Sequence, residues 1–213
     1  MEIRDRRHIS FLGRRGSLSA IAAFLLATQG CSSAMTAPTD HMSPGSASST
    51  DDFTNTVKDW PLRFLRHNFT ARCFNTQRCS VLYAGMPHGS DEATPSWQST
   101  GFKHDEFFQT LHLSIANFPP PAVLDWVSKD GTSHHATVDI GNIFKDRLIR
   151  HNVPREEVKE GVSIGDPNIA IEVDDRTVNV YTQAHIPTKH LQIPGNKYSD
   201  FRDDLIKVYS KTY

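Results

Sequence analysis

Residues 122–140, AVLDWVSKDGTSHHATVDI, carry the most restrictive pattern in the chain. Leu124 and Trp126 alternate with Val123, Asp125 and Val127, a period of two that fits a strand with one face buried and the other wet. Asp130-Gly131 is a preferred two-residue hairpin turn, because glycine tolerates positive φ. Residues 133–140 then return as a second strand. His134 and His135 are neighbours on that strand, so their rings point to opposite faces and do not readily share one metal.

Two weaker copies of this pattern flank it. Strands over 62–74 and 79–85 would form a hairpin around Phe74-Asn75-Thr76-Gln77-Arg78, with Asn75 as the turn former. A third hairpin runs from Ile169 to Val173, turns at Asp174-Asp175-Arg176 and continues from Val178 to His185. Residues 86–105 are rich in turn formers and read as a long loop, whose Trp97 either anchors a partner or folds back on the core. Residues 106–117 fit helix and strand equally. Apolar spacing predicts a short helix over 142–151, stopped by Val153-Pro154. It predicts another at the C-terminus, with Ser199 as N-cap and Phe201, Leu205 and Val208 as its stripe. The expected fold is α+β: mainly antiparallel β-sheet built from hairpins, with two short helices, in a single domain over 57–213.

The N-terminal stretch sets the compartment. Arg4, Arg6, Arg7, Arg14 and Arg15 precede an apolar run from Leu18 to Ala27. That order is the pattern of a secretory signal, and the run is too short for a permanent transmembrane helix of about 20 residues. The run ends at LLATQGC, which resembles a bacterial lipoprotein signal: Gly30 precedes Cys31, the residue that would be lipidated. Gln29 and Thr28 depart from that pattern, and cleavage after Ser32-Ser33-Ala34 is the competing route, giving a soluble periplasmic protein. On the lipoprotein reading, residues 1–30 are the signal peptide and 31–56, rich in Ser, Thr, Ala and Pro, are a lipidated flexible tether. The expected location is the bacterial outer membrane, facing the periplasm. Acylation of Cys31 leaves Cys73 and Cys79 as a pair in an oxidising space, where a disulfide competes with two free thiols.

Charge narrows the partners. The first 30 residues hold five of the chain's 23 Lys+Arg and two of its 24 Asp+Glu, so the processed protein is acidic. No basic face for nucleic acid is expected, and no polybasic membrane patch. A search for chemistry finds no catalytic motif. His88-Gly89-Ser90-Asp91 gathers three triad residue types, but side chains so close on one loop rarely reach triad geometry. Asp139, Asp166, Asp174 and Asp175 sit at turns and strand ends, where Asp serves backbone hydrogen bonds. No cofactor, metal or catalytic role is expected.

With the lipoprotein start, AVLDWVSKDGTSHHATVDI resembles a hairpin of small bacterial envelope lipoproteins, with RHNFTARCFNTQRCSVLY as weaker support. Several of these are encoded beside type VI secretion lipase or phospholipase effectors and act as immunity proteins. The resemblance implies a membrane-tethered protein that binds and neutralises a toxic effector without catalysis, using hairpin tips or the 86–105 loop. The competing expectations are an accessory lipoprotein of an envelope assembly and an envelope hydrolase.

Overall fold

The computed structural model of the chain describes residues 54–108 and 112–213. The expected signal, Cys31 and the tether up to residue 53 lie outside them. Among the described residues there are eleven strands: β1 (Arg66–Phe74), β2 (Thr76–Tyr83), β3 (Met86–Ser90), β4 (His112–Ala116), β5 (Ala122–Ser128), β6 (Ser133–Val138), β7 (Asn168–Asp174), β8 (Thr177–Gln183), β9 (Ile186–Pro187), β10 (Phe201–Arg202) and β11 (Ile206–Thr212). They form a five-stranded sheet in the order β11-β8-β7-β1-β4, a four-stranded sheet in the order β3-β2-β5-β6, and the small pair β10-β9. Among the described residues, helix is confined to one turn, α1 (Ile140–Ile143), and short 3₁₀ segments. The mainly antiparallel sheet expected from the sequence is the architecture observed.

The two large sheets pack face to face. Phe69, Ile169, Ile171, Val173, Val178 and Val180 of one share a core with Val81, Tyr83, Leu124, Trp126 and Val138 of the other. The Phe69 and Tyr83 rings meet with centroids 4.5 Å apart. The Trp126 indole crosses between the sheets to donate to the carbonyl of Asp175, 2.7 Å away. In β5 the buried residues are Ala122, Leu124, Trp126 and Ser128, so the period-two reading places the correct face inward. The turn is one residue longer than expected. Ser128 and Thr132 close it, the Ser128 amide donating to the Thr132 carbonyl at 2.9 Å, and Gly131 takes the left-handed position at φ 87.

Three expectations need correction. The first is the hairpin over 62–85. β1 and β2 are joined by Asn75 alone, at φ 53, but they belong to different sheets. β1 pairs in parallel with β7, residue 68 to 168 through 74 to 174, while β2 pairs with β3 and β5. The Cys73–Cys79 disulfide is formed, and it ties one sheet to the other across this corner. The second is the helix over 142–151. Only Ile140–Ile143 is helical, capped by Asp139, whose Oδ1 accepts from the Asn142 amide at 2.9 Å; residues 144–146 continue as a turn, closed by the Arg147 amide on the Phe144 carbonyl at 2.8 Å. Arg147 then adopts φ 55, and backbone bonds from Phe64 to Arg147 and from Ile149 to Leu62 hold the rest extended. Tertiary pairing overrides a weak local period there. The third is the C-terminal helix. Residues 206–212 form the edge strand β11 on β8, and Phe201-Arg202 pairs with Ile186-Pro187.

The outer face of the five-stranded sheet is also covered. β7 and β8 are buried at five consecutive positions each. Phe108, with Ala170, Tyr181 and Leu205, forms a second small cluster there. The segment 97–108, which spans the end of the expected 86–105 loop and the start of the ambiguous 106–117 stretch, supplies this lid: Trp97 folds back onto His104, whose ring also meets Phe108 and Tyr181.

Candidate functional site

Two polar clusters have the residue types of an active site. On the β5–β6 turn, the Ser128 hydroxyl lies 2.6 Å from Asp130 Oδ1 and 2.9 Å from His134 Nε2. A catalytic triad needs the histidine between serine and acid. Here the serine is between the other two. Its hydrogen bonds to Ser128 and Thr132 hold the Asp130 carboxyl down at about 2, so it is ionised and only accepts. Ser128 therefore donates to Asp130, and His134 must donate its Nε2 proton to Ser128. The hydroxyl has no proton left for a base to remove. Ser128 is fully buried, and His134 is stacked on Trp126 at 4.9 Å. The cluster locks a turn.

The second cluster is centred on Glu172, buried on the outer face of β7. Its Oε1 accepts from Asn179 at 2.8 Å and from the Tyr181 hydroxyl at 3.1 Å, and its Oε2 pairs with His104 Nε2. Burial first, then the Glu172 charge, pushes the Tyr181 hydroxyl well above its ordinary value, which keeps it a neutral donor. This network fastens the 97–108 segment to the sheet.

The residues singled out from sequence fall elsewhere. His88 and Ser90 lie on β3, where the His88 ring meets Phe69 edge-on and Ser90 bonds the Glu92 backbone in both directions. Asp174 Oδ1 accepts from Asn75 at 2.7 Å, and Asp175 Oδ1 from the Lys129 amide at 2.8 Å. Asp166 lies 3.4 Å from the Ser114 hydroxyl. His134 and His135 do point apart, the latter to Asp125 at 2.7 Å. Among the described residues no group of three or more His, Cys, Asp or Glu is placed to hold a metal ion.

A different region has the character of a binding surface. The β2–β3 hairpin turns at Ala84-Gly85, both at positive φ, 52 and 76. A left-handed alanine costs about 1 kcal/mol, and such strain concentrates at functional sites. On either side of the turn Leu82 and Met86 are 45% and 47% exposed. Together with Tyr83, Val123 and the wall Pro119-Pro120-Pro121, Leu82 and the turn line a mainly apolar groove of about 450 Å³. Both walls are anchored to one buried group. His67 Nε2 is 3.0 Å from the Tyr83 hydroxyl, next to the tip. The His67 ring also stacks on Phe118, next to the prolines, at 5.4 Å. Burial, reinforced by Asp139, raises the Tyr83 hydroxyl above its ordinary value, so the phenol stays neutral. In the sequence, Ala84 and Gly85 read as the end of a strand over 79–85, because Ala-Gly is not a recognised turn pair, and nothing in Pro119-Pro120-Pro121 by itself announces a groove wall. The chain matches no family model, no curated protein and no solved structure.

Proposed function

We propose that this chain is an exported, Cys31-anchored envelope lipoprotein that binds a secreted toxic effector and neutralises it without chemistry, as the immunity lipoproteins its β5–β6 hairpin resembles do. The observation that carries the binding reading is the groove at the β2–β3 tip. Leu82 stays exposed beside a wall of prolines, and Met86 stays exposed on the returning strand across the turn. The proline wall has little conformational freedom to lose on binding, and the Met86 thioether adapts to irregular contacts. Such a groove takes an apolar side chain from a protein partner, as an interface anchor pocket does. The two polar clusters serve to fix this frame.

The test is co-expression in the periplasm with the product of the toxin gene adjacent to this one. A one-to-one complex and protection from toxicity are expected. Leu82→Asp with Met86→Asp should weaken the complex by roughly 100-fold or more, the scale of an interface anchor, with the melting temperature unchanged. No complex and no protection would reject the immunity reading. Full affinity in the double variant would move the contact away from the groove. Cys31→Ser should shift the protein from membrane to soluble periplasmic fractions.

A further inference from the structure

The loop between β9 and β10 is built unlike any other in the fold. Its neck is closed where the Thr188 amide donates to the Asp200 carbonyl at 2.8 Å. Inside, Ser199 is buried, its amide donating to the Asn196 carbonyl and its carbonyl accepting from the Gln192 amide. The Ser199 hydroxyl meets the Ile193 amide at 3.0 Å and the Asn196 carbonyl at 2.8 Å. The Gln192 amide group bonds Thr188 and the His190 carbonyl. This is a compact Ω-loop with its own hydrogen-bonded interior. Yet every residue from 189 to 198 is exposed. Three of them are large and apolar: Leu191 at 46%, Ile193 at 57% and Tyr198 at 72%. A shaped loop that spends no apolar side chain on its own core is held ready for an outside surface.

Charge selects the surface. Residues 189–198 hold no acid, although the chain as a whole is acidic; Lys189 is paired with Glu160 at 3.0 Å at the foot of the loop, which leaves Lys197 as the cation beside the apolar side chains. The Lys197 ammonium lies over the Tyr198 ring, 4.9 Å from its centroid. Aliphatic tips, a tyrosine and lysines together are the composition of segments that sit at a membrane interface, apolar ends in the acyl region and ammonium groups on anionic headgroups. Placement agrees. Val57 and Lys58, where the described chain begins, line the same cavity as Lys189 at the foot of the loop, together with Arg155, Glu156 and Glu160. The residues between Cys31 and Thr54 span at most about 80 Å fully extended. A lipid at Cys31 would therefore leave the loop free to reach the bilayer.

We infer that the 188–200 loop is a second, weak membrane contact that docks on an anionic phospholipid surface and orients the body. The orientation rests on the Cys31 anchor proposed above; the lipid affinity of the loop does not. A chain beginning at Ser32, lacking signal and anchor but keeping every described residue, is mixed with vesicles of phosphatidylethanolamine and phosphatidylglycerol. It should co-sediment with them, less so as salt rises, and poorly with phosphatidylcholine alone. Ile193→Asp or Tyr198→Asp should reduce binding about tenfold or more, since each places a charge where an apolar group would insert. Lys197→Glu should reduce it on the anionic vesicles only. Leu82→Asp, in the groove, should leave it unchanged. All these positions are exposed, so melting temperatures should not move. Failure to sediment with anionic vesicles, or full binding by Ile193→Asp, overturns the inference. Loss of the effector complex in Ile193→Asp with vesicle binding intact also overturns it and assigns the loop to the protein partner. The vesicle measurements use neither the anchor nor the effector, so this proposal and the immunity reading fail separately.

Discussion

Gly89 shows how narrowly a single residue is specified here. It pairs with Ser80 on the edge strand β3 at φ 129, a region side chains rarely enter. A Cβ at Gly89 would also fall far inside contact distance of the Cys79 carbonyl carbon and oxygen, which are backbone and cannot swing away. Gly89→Ala should therefore cost about 2–4 kcal/mol, the range for special backbone positions combined with overpacking, read as a lower midpoint in chemical denaturation. A change below about 1 kcal/mol would mean that β3 shifts to accommodate the methyl group. Asp130 makes the second residue-level prediction. Its carboxyl is lowered from 3.8 to about 2 in the folded protein, first by the Ser128 hydroxyl and then by the Thr132 backbone. A depressed folded value means the stabilisation is present above the unfolded value and is lost as the pH falls towards the folded one. The stability difference between wild type and Asp130→Asn should thus be constant above about pH 5 and shrink between about pH 4 and 2. A difference independent of pH across that window would show that the bond to Ser128 does not depend on the charge.

At the scale of elements, the buried Glu172 is the fastening between the five-stranded sheet and the segment that covers it. Removing the carboxylate leaves Asn179, Tyr181 and His104 facing each other without their acceptor, and a buried group left unpaired costs about 1–3 kcal/mol. Glu172→Ala should lower stability by that amount. Both Glu172→Ala and His104→Ala should loosen 97–108, read as faster tryptic cleavage after Lys103, an exposed residue within that segment. Unchanged cleavage in both would show that Trp97 and Phe108 hold the segment by packing alone. The same comparison shows what could be read from sequence. β5, β6, β7 and β8 were legible because their partners are close in the chain and their alternation is regular. The segment 97–108 was not, because its lid role depends on the outer face of β7 and β8 being apolar enough to need covering. The C-terminal error has a related cause. Phe201, Leu205 and Val208 have helical spacing, but the β-branched Ile206 and Val208 also alternate, and the open edge of β8 decides between the two periods. The apolar groove is invisible in the sequence for the same reason: Leu82, Ala84 and Pro119–Pro121 come together only through the register of β2 on β5.

For the molecule as a whole, the decisive contact is the one least visible in the chain. β1 and β7 pair in parallel with 100 residues between partners, Asn68 with Asn168. Their pairing places β7 in the centre of the larger sheet, with β1 between it and the edge strand β4, while β2 leaves at once for the other sheet. The disulfide closes only the corner between Cys73 and Cys79, a short loop that contributes about 2 kcal/mol on the chain-entropy model. It restrains the local connection and does nothing to bring β7 to β1. Neither sheet has a complete core without the other, because the inner faces of β7 and β8 cover Tyr83, Leu124 and Trp126. Folding must therefore close a long loop before most of the core is buried, which slows it and makes it cooperative. A chain ending at Gly165 keeps the four-stranded sheet and the disulfide and loses the last five strands. It should show no cooperative thermal transition and no fixed near-ultraviolet signal from Trp126, whose indole loses its acceptor on Asp175. The intact chain should melt in one transition and refold on the millisecond-to-second scale of non-local β proteins. A cooperative transition in the truncated chain would show instead that β2, β3, β5 and β6 are an independent unit, and would move the folding nucleus from the parallel β1–β7 pair to the β5–β6 hairpin.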